Sequence, residues 1–238
     1  MIYTATEAAQ TKAARLAGAM YLICMATGII GESFIRGSLI VRGDAAQTAQ
    51  NIIGSERLFR IGIAADLVTF TGVIVLIWAL YVLLKPVERN LALLAVLLRI
   101  TEAAIHLVAT LFSSVALVLL SGAESLKSLD VNQLHSLALV ALRAQGAGIN
   151  LGFVLLGLGS AVFAYLLLRS RYVPKALAAW GIFSSLLLAT TAVAFIVFPA
   201  VGPFRLGAMV PMFIYEVVLG FWLLFKGASI RSVSASAA

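Results

Sequence analysis

The sequence predicts an all-α polytopic membrane protein, a bundle of six transmembrane helices with a short amphipathic helix on its outer surface. Three observations carry that expectation. Residues 13–226 are almost entirely apolar runs of membrane-spanning length, separated by short connections that hold Lys and Arg. Hydrophobic residues make up 62% of the chain and charged residues 11%, against about a quarter charged in a soluble domain. A mean hydropathy of +1.07 leaves too little polar surface to cover a soluble protein of this length.

The first run begins after Lys12 and Arg15, as a secretory signal would. It continues to Gly31 without a small-x-small cleavage site, so a retained helix over 14–31 is expected, with Met1–Gln10 as a short tail. Next, Gly43-Asp44-Ala45-Ala46-Gln47 opens a short helix: Asp44 can cap it, and Gln47 stands in the capping-box position. Ala45, Ala49, Ile52 and Ile53 share one face, which predicts a helix lying on the outer membrane surface. The second span covers 59–84, and the turn Lys85-Pro86-Val87-Glu88-Arg89 leads to the third, 91–120. Asp130 and Gln133 repeat the start signal ahead of the fourth span, 140–168. A continuous helix from there to Leu168 would measure roughly 57 Å, so it must protrude, tilt or break, and Gly146-Ala147-Gly148 is the cheapest place to break. Gly148 and Gly152 form a G-x-x-x-G pair suited to packing within the bundle or to a homodimer. The fifth span, 176–198, carries no charge and is the expected lipid-facing helix; the sixth covers 206–225. Each supplies the ~20 apolar residues that a ~30 Å hydrocarbon core requires. Pro174, Pro199 and Pro203 punctuate the later connections, Ser232–Ala238 reads as a disordered tail, and the whole chain forms one domain.

The formal charge of +7 could suggest nucleic acid, but the basic residues sit mainly at the ends of apolar runs. There they orient helices and attract anionic lipid head groups at the cytoplasmic face. No zinc-finger spacing, basic helix or aromatic-and-basic patch supports nucleic-acid binding. With the amino terminus inside, nine Lys and Arg face the cytoplasm, from Lys12 and Arg15 to Lys226 and Arg231. Six face the other side: Arg36, Arg42, Arg57, Arg60, Lys127 and Arg205. The bias places both termini in the cytoplasm of a multi-pass protein of the inner (plasma) membrane. Cys24, the lone cysteine, excludes an intramolecular disulfide.

Inside hydrocarbon every ionisable residue is costly, so the few present mark candidate sites. The second span contains Asp66; the third contains Arg99, Glu102 and His106 on one face; the fourth contains Arg143 and Asn150; the sixth contains Glu216. Counting rise per residue puts Asp66, Glu102 and Glu216 at similar depth, with Arg99 within reach of Asp66 or Glu102. His106 on that face suits proton handling, its ordinary pKa of about 6.5 lying close to neutrality. At the end of the first span, Glu32 and Arg36 are i, i+4 and can pair at the interface.

Two readings of these residues stand side by side. In one, they line a mid-membrane site for a small molecule, an ion or a proton, and the surplus of acid over Arg99 points to a bound proton or cation. In the other they only fasten the bundle. An enzyme is the weaker third class. His106 and His135 are the only histidines, too few for a three-histidine zinc site and poorly placed for bis-histidine haem, so no metal or cofactor is expected. No H-E-x-x-H, G-x-S-x-G or similar spacing occurs.

Several segments resemble the bacterial domain-of-unknown-function 4386 family: Ala14-Arg15-Leu16-Ala17-Gly18, Phe34-Ile35-Arg36-Gly37-Ser38-Leu39, Ser55-Glu56-Arg57-Leu58-Phe59-Arg60, Ala65-Asp66-Leu67 and Leu80 through Val87. Asn90 through Ala95, followed by Arg99, continues the likeness, which is densest from Ala14 to Glu102. The resemblance implies a bacterial multi-spanning membrane protein without an established activity, and it carries over no catalytic residues. Glu88 stands where the family pattern has Asn.

Overall fold

In the computed structural model, residues 5–126, 128–198 and 205–230 are described. The expected tail Ser232–Ala238, together with Lys127, Pro199 and Pro203, lies outside them. Among the described residues there are helices and turns but no strand. The helices are α1 (Ala5–Ile29), α2 (Ala45–Gly54), α3 (Glu56–Leu84), α4 (Arg89–Leu120), α5 (Val131–Ser170), α6 (Lys175–Val197) and α7 (Arg205–Phe221). A π-helical segment, Ile30–Arg36, extends α1 into a last turn at Gly37–Leu39, and a second, Trp222–Lys226, extends α7. Six of these stretches are long and apolar enough to cross a membrane: Glu7–Leu39, Glu56–Leu84, Arg89–Leu120, Val131–Ser170, Lys175–Val197 and Gly207–Lys226. The protein is a multi-pass, all-α membrane protein.

The chain groups into two compact units. The first comprises Met1–Ile23, Gly72–Glu102 and Phe153–Ala238; the second comprises Cys24–Thr71 and Ala103–Gly152. Helices α1, α3, α4 and α5 each contribute to both, whereas α6 and α7 belong to the first.

In the first unit, residues expected as a tail are helical from Ala5. Gln10 explains the difference: it is buried, and its amide donates to the Leu83 carbonyl (3.0 Å) and to the Tyr172 hydroxyl (3.0 Å). Glu88, in the turn before α4, accepts from the backbone N–H groups of Leu91 (2.7 Å) and Asn90 (3.0 Å), satisfying two donors that a helix start leaves open. Helix α6 is not the most exposed span. Of its most apolar window 33% is buried, against 28% for the sixth span. Its Ser184 and Ser185 are fully buried beside Met212 of α7, and the Trp180 indole donates to the Pro211 carbonyl (3.1 Å).

In the second unit, Ile35, Leu39, Ile52, Phe59, Ala116, Leu117, Ala138, Ala141 and Leu142 form one apolar core. Asp44 caps α2 by accepting from Gln47 N (2.8 Å), but the Gln47 side chain donates onward to Asn51 (2.9 Å) rather than back to the cap. Ala49 and Ile52, the centre of its apolar face, are buried in the protein, while Ile53 is exposed. So α2 closes over protein core where the sequence predicts contact with the membrane surface. Asp130 and Gln133 form the expected start of α5, with the Gln133 side chain accepting from Asp130 N (3.2 Å). Helix α5 is unbroken over 40 residues. Gly146 costs a helix interior about 1 kcal/mol, less than leaving backbone groups unbonded where water is scarce.

Candidate functional site

In the first unit, Arg99 and Glu102 lie on adjacent turns of α4, both almost completely buried. Arg99 Nη1 stands 3.3 Å from Glu102 Oε2. The Arg99 stem lies against Gly159 of α5, where an added Cβ would come within 2.6 Å of Arg99 Cγ, so the missing side chain makes room for the guanidinium. Glu216 of α7 is half-buried, and the charges acting on it among the described residues are those of Arg99 and Glu102. Beside it Tyr215 is fully buried, its ring packed on Gly181. Glu102 therefore pairs with the Arg99 guanidinium within apolar helices.

The second unit holds another such set. Arg36, at the end of the π-helical segment, is 4% exposed. Its Nη1 donates to Asp66 Oδ1 (3.1 Å) and its Nη2 to Asp66 Oδ2, a two-pronged ion pair. The same Nη1 donates to Glu32 Oε2 (3.1 Å), whose side chain is 60% exposed. Thr110 Oγ1 lies 3.5 Å from Asp66 Oδ2 and 3.0 Å from the His106 carbonyl oxygen. The His106 ring is buried 4.8 Å from Phe70, with Nε2 3.1 Å from the Ile149 carbonyl. Gly152 closes the pocket, since a Cβ there would overlap the imidazole, and one at Gly148 would lie 2.8 Å from Ala109 Cβ. Both glycines of the G-x-x-x-G pair thus serve close contacts inside the chain. Asn150 is buried and Arg143 is exposed.

The structure redistributes the residues that the sequence groups together. Arg99 and Glu102 pair, and their charges act on Glu216. Asp66 is paired with Arg36, whereas counting of depth offers Asp66 or Glu102 as the partner of Arg99. Asp66 meets Thr110 within the second unit. Arg36 is buried within the protein. The apolar residues Phe34, Ile35, Leu39 and Ile40 around it were the available signal that the first span continues past Gly31. Among the described residues, no three His, Cys, Asp or Glu side chains converge as metal ligands.

No curated protein and no solved structure matches the chain. A family model described as Domain of unknown function (DUF4386) matches residues 16–227, and the chain, a multi-pass membrane protein with a buried arginine–carboxylate pair in each of its compact units, belongs to that family.

Proposed function

We propose that the protein is a proton-linked membrane transporter or receptor for a small solute, with Arg99, Glu102 and Glu216 as its proton- or cation-binding site. The observation that carries the reading is the gathering of acid in the first unit: Glu102 pairs with the buried Arg99, and the charges of both act on Glu216. An ionised carboxylate inside hydrocarbon is costly, and a proton or small cation bound to it relieves that cost. Glu216 is the exchanging group, because it is only half-buried while the other two members are closed off. Arg99 pairs with Glu102, and Gly159 fixes where the guanidinium lies.

In this reading both termini face the cytoplasm, and Lys12, Arg15, Arg169 and Arg171 meet anionic head groups of the plasma membrane. Arg36 and Asp66 favour a second role for buried charge. Their two-pronged pair ties the first span to α3 and suits a fastener. The test is proton uptake by protein reconstituted in liposomes, read with a pH-sensitive dye after an acid jump. Wild type takes up one more proton than Glu216→Gln, with both folded. Equal uptake by the two overturns the proposal.

A further inference from the structure

We infer that Glu32, Arg36 and Asp66 form a proton-binding site in the second unit that sets the helical register at the end of the first span. In the first span the π-helical register is confined to Ile30–Arg36, a stretch that begins two residues before Glu32 and ends on Arg36. In a π-helix each N–H reaches back five residues instead of four, and such single stretches concentrate at functional sites. Here the irregularity has a visible cause. It delivers the buried Arg36 guanidinium onto both oxygens of Asp66 while Glu32 stays in reach of the same nitrogen. Gly31 permits the approach, since a Cβ there would already lie 3.3 Å from Asp66 Oδ1.

The two acids differ in surroundings. Asp66 is buried, and Glu32 has most of its side chain exposed. Among the described residues, the charged groups acting on Asp66 are Arg36 and Glu32, both from the first span; α4 contributes the Thr110 hydroxyl, with titratable His106 one turn away. With both acids ionised the three side chains carry one negative charge, and a single proton makes the set neutral. The proton arrives from water and adds to a carboxylate oxygen of Asp66. Arg36 then keeps Glu32 as its ionic partner, and the attraction that holds the π turn is gone. Return to α geometry moves the register by one residue, about 100° at 3.6 residues per turn. On a helix about 10 Å across, that carries a peripheral atom roughly 8 Å. Ser38, exposed and just beyond Arg36, is placed to report the movement.

The test measures spin-label distances between Ser38→Cys and Arg57→Cys, two exposed positions of the second unit, in a Cys24→Ser background in liposomes. One distance is expected at alkaline pH, with a second, displaced by several ångströms, growing as pH falls. Asp66→Asn should show the second distance at every pH, and Asp66→Glu should restore the pH dependence. A distance that ignores pH in the otherwise native protein overturns the inference, whether or not Asp66→Asn folds. So does a folded Asp66→Asn with the alkaline distance. Proton uptake at Glu216 is not read by this label pair, so the two proposals fail separately.

Discussion

Replacing either member of the Arg36–Asp66 pair should damage the fold unequally. Arg36→Gln leaves the buried Asp66 carboxylate with only the Thr110 hydroxyl, at 3.5 Å, as a neighbour able to donate to it among the described contacts. Removing one partner of a buried ion pair typically costs about 3–5 kcal/mol, because the survivor remains desolvated and unpaired. Asp66→Asn differs, since Arg36 retains Glu32 at 3.1 Å and the new amide oxygen can still accept one hydrogen bond. A lost charge-assisted hydrogen bond is worth about 1.5–3 kcal/mol, which is the expected cost here. The double variant removes both charges, and should cost less than the sum by about 1–3 kcal/mol. Reversible unfolding in mixed detergent micelles, followed by far-ultraviolet circular dichroism, measures all three. Equal costs for the single variants, or strict additivity, would refute the view that Glu32 is a second partner for Arg36.

Two glycines on α5 offer an internally controlled comparison: Gly152→Ala drives a methyl into the His106 ring and should cost about 1–3 kcal/mol, whereas Gly146→Ala meets nothing within 4 Å and should stabilise by about 0.5–1 kcal/mol. Thermal unfolding of the two variants decides the matter. Ile52→Ala should cost about 2–5 kcal/mol and Ile53→Ala almost nothing, because only Ile52 enters the protein core; similar effects at both would mean that α2 rests on lipid. Glu88→Ala should lower stability by about 1 kcal/mol through loss of the α4 cap, and Glu88→Asn should recover much of it. Reporter fusions at Ala123 and after Ala238 should give opposite sidedness, as six crossings with cytoplasmic termini require.

The architecture was legible because hydrocarbon imposes a simple rule: apolar runs of sufficient length become helices, and backbone groups must bond within them. The Asp44 and Asp130 starts were legible for a local reason, as a side chain three residues from a backbone N–H reveals its partner. Pairings between helices were not. Depth counted along a run assumes regular rise from the apparent end of the run, yet the first span continues through Arg36 in π register, which leaves hydropathy unchanged. That extension buries Arg36 and claims Asp66. The i, i+4 spacing of Glu32 and Arg36 announced their contact but not the acid that Arg36 reaches across to. Gln10 was misplaced because its partners, Leu83 and Tyr172, are distant in sequence. The Arg99–Glu102 contact was legible because the two share one face of one helix.

The central claim, that Glu216 exchanges a proton against the Arg99–Glu102 pair, is tested most directly by carbodiimide labelling. A hydrophobic carbodiimide adds only to a protonated carboxyl, and the adduct is located by mass spectrometry of the reconstituted protein. The account predicts an adduct on Glu216 that forms at acid pH, declines as pH rises, and is absent from Glu102. No adduct on Glu216 at any pH in folded protein, or equal labelling of Glu102 and Glu216, would contradict it.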